Sequence, residues 1–290
     1  MKKAYLSFCL GLVSTWSLAQ AGSEIYLFDL SVKKDKITIS HPVNITNHKG
    51  YDNQPFFHPD KPIVYYSSFD DSARADIKSY DYKLKLTKSI TETREREYSP
   101  TVTLDKQHIS CIIQRDNGAQ DLGKYSIDGV DPPVVIIDNM TVGYHVWADN
   151  SHLGLFILGT PNTLHYLRLP TKKDTIVAQN IGRSLHKVPG ESAISFIVKL
   201  SDTEWRIKKL NTQTLKISDV GLTVTGHEDL TWLSDGRILM SDGPKLFYLE
   251  PSKGPGWNEV KVISGAEVLK GVTRLAVSGN GKKLAVVIAE

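Results

Sequence analysis

The chain repeats itself with a period near 45 residues, which limits its possible folds more than any local propensity does. Acidic, Asn or Gly turns recur at Asp60, Asp105, Asp149, Glu191, Asp235 and Asn280, at intervals of 45, 44, 42, 44 and 45 residues. The clearest pair is residues 50–68 and 96–113, where aligning Asp60 with Asp105 also aligns Pro55 with Pro100. A unit of this size is one supersecondary motif that cannot bury its apolar face alone, so neighbouring units must stack. The six turns divide the chain into six such units, with no boundary between independently folding halves.

Each turn precedes an apolar, β-branched segment, at 63–66, 109–113, 153–158, 193–198, 237–240 and 283–288. Their length and composition fit strands rather than helices. A third strand alternating polar with apolar residues follows at 76–81, 123–128, 163–168, 205–210 and 245–250, as a sheet with one wetter face requires. A fourth, more variable strand is expected, for example at 83–87, 134–137 and 261–263. Four antiparallel strands on this period make a propeller blade, so the expected fold is all-β, a six-bladed β-propeller of four-stranded antiparallel blades. The two ends complement each other. Residues 272–290 hold two strands, and residues 23–46 hold two more with no preceding pair. Together they complete the sixth blade and leave no open edge between first and last blades.

Residues 55–71, then Ala75-Asp-Ile-Lys-Ser-Tyr-Asp and Leu86-Thr, resemble the WD40-like repeat of the TolB-type six-bladed propellers. That repeat reads Pro-x-aromatic-Ser-Pro-Asp-Gly, an aliphatic and aromatic strand ending in Ser, then Asp-Ile-Tyr and Leu-Thr. The match continues through Ser99-Pro-Thr-Val-Thr-Leu-Asp, Trp232-Leu-Ser-Asp-Gly and Val277-Ser-Gly-Asn-Gly, while the third and fourth units keep only the turn. The resemblance implies a propeller over most of residues 23–290. The family's additional amino-terminal α/β domain is not expected, because the first strand follows closely on the leader.

Asp60, Asp105, Asp149, Asp235 and Asn280 are expected to form hairpin turns rather than act as catalytic acids. Phe57, Val102, Val146, Val188, Trp232 and Val277 are expected to share one repeat position and to pack between blades. The innermost strand of each blade lines a central channel. The positions that start those strands are Asp52 and Asn53, Glu97 and Tyr98, Tyr144 and His145, Ser184 and His186, Glu228 and Asp229, and Thr273 and Arg274. From them, Asn53, Glu97, His145, His186, Glu228 and Arg274 are the candidate binding residues at the channel mouth. Such polar side chains converging on one opening suit a protein segment or a small anionic ligand.

The competing reading is a metal-dependent hydrolase or lactonase-like propeller, with Glu97, His145, His186 and Glu228 as ligands. His227, Glu228 and Asp229 alternate sides of a strand and cannot all face one ion. Nucleophilic catalysis has little support, because the segment around Ser192 lacks the second glycine of a nucleophile elbow. Cys111 reads as a small apolar residue in a buried second strand. No cofactor is expected. With the leader removed, 33 basic residues face 32 acidic ones, and nothing marks a nucleic-acid surface.

Residues 1–21 read as a secretory signal peptide, with Lys2 and Lys3, an apolar stretch and Ala19-Gln20-Ala21 before Gly22. The apolar run is short of the roughly 20 residues that cross a bilayer, so no membrane insertion is expected after cleavage. The mature domain is then 22–290, periplasmic or secreted.

Overall fold

The computed structural model describes residues 22–34, 36–69 and 74–290, so the leader lies outside the described residues. Six sheets follow one another around a ring, and each contains four antiparallel strands. Blade 1 runs from its innermost strand, Asp52–Phe57, through Ile63–Phe69 and Ala75–Asp81 to Leu86–Ser89 at the rim. Blades 2 to 5 repeat that order, with innermost strands Arg96–Val102, Val142–Asp149, His186–Lys187 and Leu230–Trp232. Blade 6 joins the two ends of the chain. Val272–Val277 and Lys283–Ala289 form its inner half, and Ser23–Lys33 and Lys36–Asn44 its outer half. Leu27 lies opposite Ala285 along that seam.

The core shows why the ring closes. Six apolar clusters occur among the described residues, one at each blade interface. Phe57, Val64 and Tyr66 of blade 1 pack on Ile25, Leu27, Ala285 and Val287 of blade 6 in one buried cluster. An open stack of six units would have one interface fewer. The second strands are nearly continuous apolar runs because both of their faces are covered. In Lys283–Ala289, Leu284, Val286 and Ile288 face blade 5, while Ala285 and Val287 face blade 1. Cys111 is fully buried in the same setting, and burial pushes its thiol well above the ordinary range.

The hairpin residues act as turn formers. Asp105, Asp149, Asp235 and Asn280 each accept the backbone N–H two residues on, from Gln107, Ser151, Arg237 and Lys282. This is the Asx turn. In blade 1 the acceptor is His58 Nδ1, which takes the N–H groups of Asp60 and Lys61.

Three sequence expectations need correction. Residues 83–85 form a turn, and the outer strand begins at Leu86. Lys261–Val262 does not close blade 5, whose outer strand is Trp257–Glu259. It crosses to blade 6 and pairs parallel with Lys36–Asn44, Ile39 opposite Val262, as a fifth strand on that sheet. Finally, the inter-blade position shifts by one residue in the two degenerate units. Phe57, Val102, Trp232 and Val277 lie opposite Val64, Ile109, Ile238 and Leu284, and the residues in the same register are Trp147, opposite Leu153, and Lys187, opposite Ile194. Trp147 confirms the equivalence by donating to Ser110 Oγ of the preceding blade at 2.9 Å, as Trp232 donates to Ser195 Oγ at 2.8 Å. Val146 faces the following blade instead.

Candidate functional site

The corrected register locates the channel. Three residues before each inter-blade position stand Gln54, Ser99, Tyr144, Ser184, Asp229 and Arg274. Two before it stand Pro55, Pro100, His145, Leu185, Leu230 and Leu275. All of these line one cavity of about 110 Å³, so six equivalent strand positions meet on the axis. A second cavity, of about 220 Å³, opens beside it among blades 4 to 6 and is lined in part by Trp205, His227 and Glu228. Arg183, Asp229, Arg274 and Leu275 line both cavities, and the three charged side chains form the polar partition between them.

The local backbone in blades 1 and 2 is built for this narrowing. Gln54 and Ser99 occupy the left-handed region, with φ of 58° and 56°, and the strand register skips at both. A non-glycine residue there costs about 1 kcal/mol, and a bulge re-aims the strand that carries it. The two bulges are stitched together, since Gln54 Oε1 accepts from Ser99 N at 2.8 Å and from Ser67 Oγ at 3.0 Å. Pro55 and Pro100 thereby face the chamber.

Two histidines lie on the opposite arc. His145 Nε2 is 2.7 Å from Ser110 Oγ, the same hydroxyl that receives Trp147. Its Nδ1 has no protein partner, and burial pulls its pKa down to about 3, so the ring is neutral. His186 Nε2 is 3.0 Å from Ser184 Oγ, and burial pulls its pKa down to about 4 against the opposing pull of Asp229. Both imidazoles are polar but uncharged parts of the wall.

Charge concentrates in the partition. Arg183 grips Asp229 in a fork, Nε to Oδ1 at 3.2 Å and Nη2 to Oδ2 at 2.5 Å. Arg274 reaches Asp229 with Nη1 at 3.4 Å and donates from Nη2 to Tyr144 OH at 2.9 Å. Its guanidinium also lies over the Tyr144 ring, 5.3 Å from the centroid. Glu228 stands beside Arg183, with its Oε1 3.8 Å from Nε. Its Oε2 accepts from Lys199 Nζ at 3.1 Å and from the Arg183 backbone N–H at 3.2 Å. Lys199 in turn sits 4.0 Å over the Trp205 ring. Tyr51, Phe69 and Tyr98 make an aromatic arc on the blade 1 and blade 2 side, with successive ring centroids 4.9 and 6.2 Å apart. Burial pushes the Tyr51 phenol up to about 12, against the opposing charges of Arg274 and Arg183.

Of the six candidate residues, His145, His186 and Arg274 line the axial chamber, and Glu228 lines the outer cavity with Arg274. Asn53 and Glu97 line neither cavity. Asn53 is buried at the seam, donating to Ser23 Oγ at 3.2 Å and accepting from Gln54 N. Glu97 is fully buried between blades 1 and 2, accepting from Tyr125 OH at 2.9 Å and Thr93 Oγ1 at 2.7 Å. Adjacent strand residues face opposite sides, so Tyr98 and Glu97 cannot both face the axis. Arg183 escaped the sequence reading. It lies one full repeat before Glu228 only when the fourth unit is counted from Trp147 to Lys187, and the degenerate turns at Asp149 and Glu191 hide that count. Among the described residues no three His, Cys, Asp or Glu side chains come close enough to hold a metal ion, so Glu97, His145, His186 and Glu228 do not assemble as a ligand set.

Neither a family model nor a curated protein sequence matches the chain. Solved structures do. A TolB candidate from Agrobacterium tumefaciens superposes with a TM-score of 0.67 at 10% identity, over 94% of this chain and 99% of that one. By fold, the chain is a TolB-like propeller. TolB from Acinetobacter baumannii gives 0.57 at 11% identity over 93% of this chain, which spans 64% of that one. The TolB-like ring is also similar to an oligogalacturonate lyase solved in complex with manganese, with a TM-score of 0.59 at 12% identity over 94% of this chain and 99% of that one. At these identities the likeness is one of fold.

Proposed function

We propose that this protein is an exported binding propeller that holds a protein segment or a small ligand at the mouth of its central channel. The observation that carries this reading is the partition itself. Two arginines from different blades meet one carboxylate on the axis, between an inner chamber and an outer cavity that both include these three charged side chains in their walls. Concave sites with a few converging polar groups are where propellers and other rigid scaffolds place recognition. Strands from all six blades fix the wall, so the site is preorganised for its ligand.

One further feature supports export: the first 21 residues have the pattern of a cleaved leader. Similarity of fold to a chain of a nidogen/laminin complex, with a TM-score of 0.63 at 9% identity over 87% of this chain and 97% of that one, supports a protein partner. A photo-crosslinking residue placed at His227 on the mouth should yield a specific adduct in the producing cells, and one placed at Lys106 on the opposite, hairpin face should not. Adducts from Lys106 alone, or a secreted product whose mass begins at Met1, would overturn the respective halves of this reading.

A further inference from the structure

We propose that Arg183 and Arg274 form a carboxylate-binding site that clasps one planar monoanionic group brought by the ligand. The inference rests on the binding reading above and names the chemistry of its occupant. Five charged side chains converge at the partition, Arg183, Arg274, Lys199, Glu228 and Asp229, three positive and two negative. Glu228 is shared between Lys199 at 3.1 Å and Arg183 at 3.8 Å, so Asp229 is the one carboxylate that reaches Arg274. One positive charge remains uncompensated, and the neutral imidazoles of His145 and His186 add none.

The surplus belongs to Arg274. Arg183 takes both oxygens of Asp229 in a forked geometry, whereas Arg274 holds one of them at 3.4 Å. A guanidinium has five N–H donors, and the Arg274 contacts to Asp229 and Tyr144 use two. A charge held 15% exposed with half a partner is costly unless an incoming group completes it. The planar fork of arginine matches a carboxylate in two parallel hydrogen bonds, which lysine cannot do. One surplus charge also selects for valence. A monoanion neutralises the site, while a dianionic phosphate would add a net negative charge beside Glu228 and Asp229. A cation is excluded by the same sum. The ring of Tyr144 holds the Arg274 guanidinium in place before the ligand arrives.

Such a carboxylate comes either from a peptide, as an acidic side chain or chain end, or from a sugar acid. Both present the same group. The test is a titration of residues 22–290, followed by the side-chain Nε–H resonances of arginine. Acetate, N-acetylaspartate and galacturonate are the probes, with N-acetylasparagine and galactose as uncharged counterparts. The acids should produce saturable shifts at Arg274 and Arg183 and the uncharged analogues none, and the tighter of N-acetylaspartate and galacturonate identifies the source. Arg274→Gln should weaken acetate at least about tenfold, the scale of one charge-assisted contact. Asp229→Asn should strengthen it, because removing the internal competitor frees both arginines. A purely structural role for the cluster would not produce that gain. Equal binding of charged and uncharged analogues, no saturable shift with any acid up to about 50 mM, where even a weak site of a few kcal/mol fills, or no gain in Asp229→Asn would overturn the inference. Crosslinking at the mouth without a carboxylate response would leave the binding reading intact and remove this one.

Discussion

A single buried acid shows how residue chemistry in this ring separates stability from function. Glu97 receives hydrogen bonds from Thr93 and Tyr125, which favour its charged form, yet burial outweighs them and raises its pKa from 4.5 to about 6. Between those values the folded protein keeps a proton that the unfolded chain has released. Stability therefore falls as pH rises from 4.5 through 6, by about 2 kcal/mol for a shift of this size. Glu97→Gln removes the titration while keeping a polar partner for the two hydroxyls. Relative to the parent, this variant should gain about 2 kcal/mol on going from pH 4.5 to 7, read from urea unfolding at both values. An unchanged difference between the two pH values would mean that Glu97 titrates normally. His145 works in the opposite direction. Its depressed pKa makes the protein lose stability as pH falls below 6.5 toward about 3, so comparison with the parent at each pH isolates the Glu97 contribution.

Strands rather than single residues decide where blade 6 ends. The short parallel strand Lys261–Val262 covers the outer edge of Lys36–Asn44, and Ile263 N donates to Ile39 O at 2.8 Å just beyond it. An edge strand left bare is a template for association, so this crossover protects the blade on which closure depends. Ile263→Pro removes the donor. It should cost about 1–3 kcal/mol and speed amide exchange in residues 36–44, with the other rims unchanged. Uniform exchange across all rims would show that the crossover is incidental. The same segment marks the limit of what the sequence reveals. Periodicity gave the blades, their order and the shared sixth sheet, because turn chemistry and apolar runs are local. Whether Lys-Val-Ile continues its own blade or crosses to the next depends on which edge lies nearer, and no local pattern encodes that. The channel wall divides in the same way. His145, His186 and Arg274 were legible from strand position, whereas Glu97 needed the alternation of sides and Arg183 needed the true 40-residue spacing from Trp147 to Lys187.

At the scale of the whole molecule the ring is held by six apolar interfaces, but only one blade is made from both ends of the chain. That blade differs from the others in kind. Pulling the two ends of the chain apart would break a sheet rather than merely separate two apolar faces, since Ser23–Asp29 of the outer half of blade 6 pairs with Lys283–Ala289 of its inner half. Circular permutation separates these effects without removing any residue. Glu290 N lies 3.0 Å from Gly22 O, so the two ends of the described domain can be joined by a short linker. New ends placed in the exposed hairpin at residues 201–203 split blade 4 and recreate a shared blade there. New ends at Thr225 and Gly226 fall between blades 4 and 5 and leave six whole blades closed by apolar contact alone. Both permutants keep the same contacts and the same composition. If strand sharing provides the closure, the first should unfold at the parent's urea midpoint in one transition, and the second should unfold at a lower midpoint with early loss of the interface between blades 4 and 5. Trp205 and Trp232 border that interface and report on it by fluorescence. Equal midpoints for the two permutants would show that apolar stacking suffices and that the shared blade is a topological accident.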